Sequence, residues 1–279
     1  MSQTETVIAN YTRGDLEAAI RAAIAKMGKS PETMTIAELA AVDEFHIGGR
    51  AATKHLLDQL VVHPQSDLLD VGCGLGGAAR FVSSNYGCHV TGVDLTSEYI
   101  ATGRVLNNWV GLAEQIQLKE ASALALPFPD GTFDAGYMIH VGMNIGDKVA
   151  LFREIYRVLR LGASFGVYDI MRIGAGELVF PVPWATVADS SQVVEPAVYG
   201  QALGEAGFEI TAVNNRHAAA QTFFQAQQAK VTQAGGPPLG LHTLIGAAAP
   251  AKFRNMVASI QAGALAPVEI IVHKASSEK

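Results

Sequence analysis

Asp70 stands two residues ahead of four glycines, Gly72, Gly74, Gly76 and Gly77, in the stretch LLDVGCGLGGAAR at 68–80. Glycine at that density lets a backbone turn tightly and come close to a ligand. Two templates fit. Gly72, Gly74 and Gly77 match G-x-G-x-x-G, whereas Asp70, Gly72, Gly74 and Gly76 match the acidic form D/E-x-G-x-G-x-G. The acid separates the ligands. A dinucleotide would bring its pyrophosphate to the helix N-terminus, where a neighbouring carboxylate opposes it. S-adenosylmethionine carries an ammonium and a sulfonium instead, and an acid at a strand end favours both. Asp94, at the end of the next strand in GVD (92–94), lies about twenty residues beyond the loop, where a carboxylate can accept both ribose hydroxyls.

A second group of residues could act on whatever the first group's ligand delivers. His140, in YMIHVGMN (137–144), falls at the end of the fourth strand, on the side of an open sheet where ligands bind. It either takes a proton or orients a substrate, or it is a histidine satisfied in the core. Trp184, in PVPWA (181–185), is either a wall over a cationic nitrogen or a plain loop wedge. His217 and His242 are weaker candidates, being isolated loop histidines. Lys148, Arg153, Arg157 and Arg160 read as the solvated basic face of one helix. There is no HExxH, facial-triad or clustered cysteine spacing, so no metal is expected.

The elements that must hold these residues read as strands alternating with helices. Strands are expected at 67–71, 89–94, 116–121, 135–141, 164–170, 209–213 and 268–273, with helices at 76–86, 97–112 and 147–160. That order implies an α/β, Rossmann-like, doubly wound, mostly parallel seven-stranded sheet. Helical spacing at 15–27, 35–45 and 51–60 forms an N-terminal helical cap over 1–60. The core then spans 61–213. A helical insert over 214–266, broken at GGPPLG (235–240), precedes the last strand and tail at 267–279 and reads as a lid.

The chain has 279 residues, ample for a buried core, and a formal net charge of −6 with no block of like charges. Neither nucleic acid nor an anionic membrane suits that balance. No run of eighteen apolar residues escapes Gly, Pro or a charge, and the first residues lack a basic flank before an apolar core. Cys73 and Cys88 support no disulfide framework. A cytoplasmic protein with a small-molecule partner is the plain expectation, and a homodimer is compatible with it.

LLDVGCGLGG, GVDLT, ALALPFPDGTFD and LFREIYRVLRLGA, in that order, resemble the class I S-adenosylmethionine-dependent methyltransferases over roughly 45 to 172. The resemblance implies S-adenosylmethionine as cofactor, held at Asp70, Gly72, Gly74, Gly76, Asp94, Leu95 and Ile47, with adenine at Ser122 and Ala123. Ser122 replaces the family's usual aspartate, so its hydroxyl offers a neutral, weaker acceptor. FHIGGRAATKHLL (45–57) and YMIHVGMNIGDK (137–148) are similar to the small-amine branch, the phosphoethanolamine and sarcosine/dimethylglycine N-methyltransferases. In the phosphobase enzymes a loop histidine pairs with a tyrosine of the N-terminal helix. Asn144 stands at that histidine's position here, His140 stands where those enzymes carry an aspartate, and Tyr11 is the upstream tyrosine. The resemblance therefore implies His140, Asn144 and Tyr11 as catalytic candidates, with His46 and Trp184 toward the substrate. Asn144 can hydrogen-bond an acceptor but cannot act as a base.

Methyl transfer from a sulfonium needs alignment and exclusion of water above all, because the donor is already activated. The expected reaction is methylation of a small molecule at an amine nitrogen. Oxygen or carbon of a natural product is the nearest rival, and an NAD-dependent oxidoreductase or a non-catalytic nucleotide-binding module stands further off.

Overall fold

A computed structural model describes residues 2–234 and 238–276. Four helices, α1 (Gln3–Tyr11), α2 (Leu16–Lys26), α3 (Ile36–Asp43) and α4 (Gly49–Leu57), precede the first strand. Strands and helices then alternate as β1 (Asp67–Val71), α5 (Gly77–Tyr86), β2 (His89–Asp94), α6 (Ser97–Trp109), β3 (Ile116–Glu120), β4 (Phe133–Ile139), α7 (Lys148–Val158) and β5 (Leu159–Arg172). The chain continues with α8 (Pro196–Ala206), β6 (Glu209–Asn215), α9 (His217–Ala234), α10 (His242–Ile245), α11 (Ala249–Gln261) and β7 (Leu265–His273).

The seven strands form one sheet in the order β3-β2-β1-β4-β5-β7-β6. β1 pairs in parallel with both β2 and β4, while β7 runs antiparallel between β5 and β6. The expected Rossmann-like doubly wound sheet is therefore present, with the last strand reversed. β1 and β4 are neighbours at the point where the strand order turns back, and the crevice there opens beyond their carboxyl ends. The central strands bury both faces, as in Leu68, Leu69, Val71, Tyr137, Met138 and Val167. Helices cover each side, which is why these strands read as near-continuous apolar runs.

Three local differences from the sequence reading bear on the site. The fourth strand covers 133–139 rather than 135–141, because His140 takes a left-handed conformation at φ +56° and a 3₁₀ turn follows at Gly142–Asn144. A strand cannot run through such a residue. The single basic face is corrected too. Arg160 lies in β5, Lys148 is buried with its ammonium directed at the carbonyl of Gln192, and Arg157 pairs with Glu154 and Asp130. Third, α1 is an additional helix, started by a capping box in which Ser2 and Glu5 exchange side-chain and backbone hydrogen bonds. The GGPPLG break falls partly, at 235–237, outside the described residues. The segments 222–231 and 253–261 lie in α9 and α11, as their apolar spacing predicts.

The cap is fastened to the sheet by a buried charge. The guanidinium of Arg80 on α5 donates to Asp43 Oδ2 at 2.6 Å, to Asn107 Oδ1 at 2.6 Å and to the carbonyl of Leu75 at 2.8 Å. Gly77 opens α5 against the same seam, and a Cβ there would lie 2.3 Å from the carbonyl oxygen of Asp43.

Candidate active site

A cavity of about 1680 Å³ opens at the carboxyl ends of β1, β2 and β4 and extends between the cap and the helices α9 to α11. A single small-molecule site occupies about 300–1,000 Å³, so this one has room for two ligands side by side.

The glycine loop forms one end. Gly72, Gly74 and Gly76 all have positive φ, at +72°, +53° and +79°. Their reasons differ. A Cβ at Gly72 would strike Val141, at 2.3 Å from Cγ2, so this glycine serves the packing of the loop after β4. A Cβ at Gly74 would find nothing nearer than Tyr99 Cδ2 at 3.9 Å, which leaves a cradle beside the backbone. Asp94 closes the loop from the end of β2. Its carboxylate accepts the amide proton of Gly74 at 3.0 Å and that of Thr96 at 2.8 Å. Burial pushes its carboxyl above the usual carboxylate range while these amides pull it back. Asp70 is buried at the end of β1 and accepts the hydroxyl proton of Tyr137 at 3.2 Å. Burial raises it to about 7, against that hydrogen bond and with help from Asp94. Leu95, Ser122 and Ala123 also line the cavity. Ser122 Oγ accepts the amide proton of Leu124 at 3.2 Å, so its hydroxyl proton is free to be donated.

Tyr11 and Asn144, 133 positions apart, meet across the middle of the cavity. The tyrosine hydroxyl donates to Asn144 Oδ1 at 3.3 Å, and burial holds that phenol well above its ordinary range. Gln3 reinforces the contact by donating to the carbonyl of Asn144 at 3.0 Å. Beneath this loop, Tyr199 donates to Asp169 Oδ2 at 2.7 Å, and Gly142 has no room for a Cβ, which would lie 2.4 Å from the Tyr199 hydroxyl. Burial lifts Asp169 to about 6.

His140 and His46 form a second cluster. The His140 ring stacks on Tyr168, centroids 5.4 Å apart and 13° from parallel, and meets His46 edge-on at 6.1 Å. Its Nε2 is buried without a hydrogen-bond partner. Burial, then the nearby His46, hold His140 well below the usual imidazole range, so it is neutral at pH 7. His46 Nε2 lies 3.0 Å from the carbonyl of Gly49 and 3.0 Å from Thr53 Oγ1. A carbonyl only accepts, so Nε2 carries the proton. Burial lowers His46 to about 4. Ile47 lines the cavity and its carbonyl accepts the Tyr168 hydroxyl at 3.0 Å.

Trp184 is buried in the far wall with its indole N–H on Ser191 Oγ at 3.0 Å, beside Met143, Phe223, Phe224, Phe253 and Met256. His242 is at the rim, whereas His217 is set against the carbonyl of Ile260 at 2.7 Å and does not line the cavity. The sequence candidates thus gather around one cavity except for His217 and for Gly76, which does not line it and whose Cβ position faces Arg80 and Leu118 instead. Sequence reasoning missed Glu44, which lines it with a buried carboxyl, and the Asp169–Tyr199 pair that supports the 141–145 loop. The pair's signal was present in YDI (168–170) within β5, but nothing in the pattern marks Glu44 apart from an ordinary helix-end acid. Among the described residues no group of three His, Cys, Asp or Glu could hold a metal ion, and no helix is long and apolar enough to cross a membrane.

Residues 69–167 match the family described as Methyltransferase domain. The chain is 31% identical over 172 residues to phosphoethanolamine N-methyltransferase 3 of Arabidopsis thaliana, covering 61% of this chain and 34% of that protein. It is 39% identical over 111 residues to cycloartenol-C-24-methyltransferase 1 of Oryza sativa subsp. japonica, covering 40% of this chain and 32% of that one. The chain thus spans about a third of the length of these relatives. Among solved structures it resembles a putative sarcosine dimethylglycine methyltransferase from Galdieria sulphuraria, with a TM-score of 0.64 and 19% identity over 82% of this chain and 86% of that one. The resemblance read from the motifs holds in both sequence and fold.

Proposed function

We propose that this chain, whose residues 69–167 form a methyltransferase domain, is an S-adenosylmethionine-dependent methyltransferase acting on a small molecule with an apolar body. The observation that carries the reading is the continuity of one cavity from the glycine cradle and Asp94 to the aromatic wall around Trp184. When bound, S-adenosylmethionine supplies a methyl group whose bond to sulfur breaks, its electron pair going to sulfur, as the bond to the acceptor forms.

The residues of the chain hold and align the two ligands. The Gly74 cradle and the Asp94 carboxylate receive the nucleoside, with Leu95, Ser122 and Ala123 against the base. Tyr11 and Asn144 fix the 141–145 loop across the junction of the two halves and narrow the path of water to it. His140 is neutral and its Nε2 is unpaired, so it can accept a hydrogen bond and orient an amine acceptor.

The charged side chains that line the described cavity are acids, including Asp43, Asp70, Asp94 and Asp147, with no Lys or Arg. A phosphate or carboxylate on the acceptor would meet no cationic partner there. The same deficit disfavours the pyrophosphate of NAD. An amine on an apolar frame fits these walls better than phosphoethanolamine or sarcosine. Carbon methylation is the second reading, favoured by Phe223, Phe224 and Phe253 on the far wall and by the likeness to a cycloartenol C-methyltransferase.

A panel of lipophilic amines, phenols, alkenes and phosphobases, read by release of S-adenosylhomocysteine, tests the proposal. Turnover with lipophilic amines is the expected result. Turnover confined to phosphoethanolamine would overturn the acceptor assignment, and calorimetric binding of NAD without S-adenosylmethionine would overturn the whole reading.

A further inference from the structure

Glu44, at the C-cap of α3, is 7% exposed, lines the cavity, and has both carboxyl oxygens buried with no hydrogen-bond partner. A buried polar group without a partner costs stability, and a carboxylate without a partner costs more. Its surroundings do not discharge that cost. Arg50 Nε forms an ion pair with Oε1 at 3.5 Å without a well-formed hydrogen bond, while the Arg50 guanidinium is directed at the carbonyl of Ile36, so it offsets only part of the cost. Arg80 is taken up by Asp43, Asn107 and Leu75. His46 Nε2 lies 3.4 Å from Oε2 but gives its proton to Gly49. Asp43 adds a like charge, and the Tyr137 hydroxyl, close enough from β4 to feel Glu44, is given to Asp70.

Arg80 and His46 are thus engaged elsewhere, Arg50 offers one long ion pair without a hydrogen bond, and Glu44 is itself part of the cavity wall. Asp70, at the end of β1, accepts that same Tyr137 hydroxyl and lines the same cavity. With the ribose at Asp94 and the base at Ser122, the amino-acid end of the cofactor falls on the Asp70 and Glu44 side. Resting on the cofactor reading above, we infer that the Glu44 carboxylate receives the α-ammonium of S-adenosylmethionine, and that this ligand is the partner its two oxygens lack.

A consequence separates this role from packing. Burial, then Asp43, raise the Glu44 carboxyl to about 8, so the group is protonated in the unliganded protein at neutral pH. Bringing an ammonium to it favours the ionised form. Cofactor binding therefore releases a proton, and affinity rises with pH toward 8.

Calorimetry with S-adenosylhomocysteine, which keeps the α-ammonium, and with 5′-methylthioadenosine, which lacks the whole amino-acid portion, tests the inference. In buffers of different ionisation enthalpy at pH 7, the wild-type protein should release close to one proton on binding the former and none on binding the latter. Glu44→Gln should weaken S-adenosylhomocysteine about 10- to 100-fold, remove most of the proton release, with Asp70 supplying any remainder, and leave 5′-methylthioadenosine unchanged. Should Glu44→Gln fold poorly, the wild-type count repeated at pH 8, where Asp70 at about 7 is already ionised and Glu44 at about 8 is not fully so, still reads Glu44. Absence of proton release, or equal losses for both ligands, would overturn the role of Glu44. Failure of the wild-type protein to bind either ligand would instead overturn the cofactor reading.

Discussion

Gly72 and Val141 touch so closely that a Cβ on the glycine would come within 2.3 Å of Val141 Cγ2. The glycine loop and the loop after β4 are thereby locked in one relative position. Gly72→Ala should shift both together, costing on the order of 2 kcal/mol in stability because its φ of +72° is strained for alanine as well. The melting temperature should fall by several degrees and S-adenosylhomocysteine affinity with it. Val141→Ala in the same chain should restore part of both. A Gly72→Ala protein with wild-type melting and affinity would show that the two loops are independent.

Asp94→Ala should cut S-adenosylhomocysteine affinity by 10-fold to 100-fold or more, since charge-assisted hydrogen bonds are worth about 1.5 to 3 kcal/mol each. The carboxylate also accepts the amides of Gly74 and Thr96, so some stability goes as well. Gly74→Val should abolish binding with a smaller effect on folding, because its Cβ points into the cradle. Titration calorimetry beside thermal melts reads both, and unchanged affinity in either variant counts against the nucleoside site.

His140→Ala should lower the single-turnover rate by roughly 10²-fold with cofactor affinity nearly unchanged, the range a small misalignment of the reacting group costs. Because burial keeps His140 neutral, the wild-type rate should show no inflection near pH 6.5 from this group. A full rate in His140→Ala on a good acceptor would remove it from the chemistry.

Stability of the unliganded protein should fall between pH 6.5 and 8. Glu44 at about 8, Asp70 at about 7 and Asp169 at about 6 are all raised above their unfolded values. Such groups add stability below the unfolded carboxylate range, and it is lost as pH rises through the folded values. The buried histidines act oppositely. His46, at about 4, and His140 give stability that is complete above 6.5 and lost below it. The alkaline decline should be on the order of 1 kcal/mol per pH unit, seen as a melting temperature falling by a few degrees. Glu44→Gln should flatten it; a wild-type profile that rises through this window would contradict the buried state of these acids.

Turnover should persist in excess EDTA, as the described residues hold no cluster of metal ligands. Activity that disappears and returns with Mg²⁺ would point to a different chemistry at the acceptor.

How much of this was legible in the sequence follows from which forces are local. The glycine loop and Asp94 were readable because strand, turn and helix are adjacent in the chain and their spacing is fixed by backbone geometry. His140 was read as a strand residue because the apolar run continues to Val141, and only the packing of Tyr168 and His46 reveals the left-handed turn. Helix α1 carried its signal openly in Ser2 and Glu5, which the low apolar content of 3–11 obscured. The burial of Lys148 and the vacancy of partners at Glu44 depend on residues more than forty positions away or on other elements. No local pattern encodes them.

Arg80 has no exposed surface, and its partner Asp43 belongs to a different layer of the molecule. Removing one partner of such a buried pair leaves an uncompensated charge and costs about 3–5 kcal/mol. The helices before β1 and the sheet are therefore one cooperative unit. They should melt in a single transition, and a protease that cuts between Leu57 and Asp67 should release neither piece as a folded fragment. Sequence truncations that begin at the glycine loop to obtain a minimal cofactor-binding core would leave Arg80 charged, buried and alone, and would yield an aggregating chain instead of a smaller enzyme.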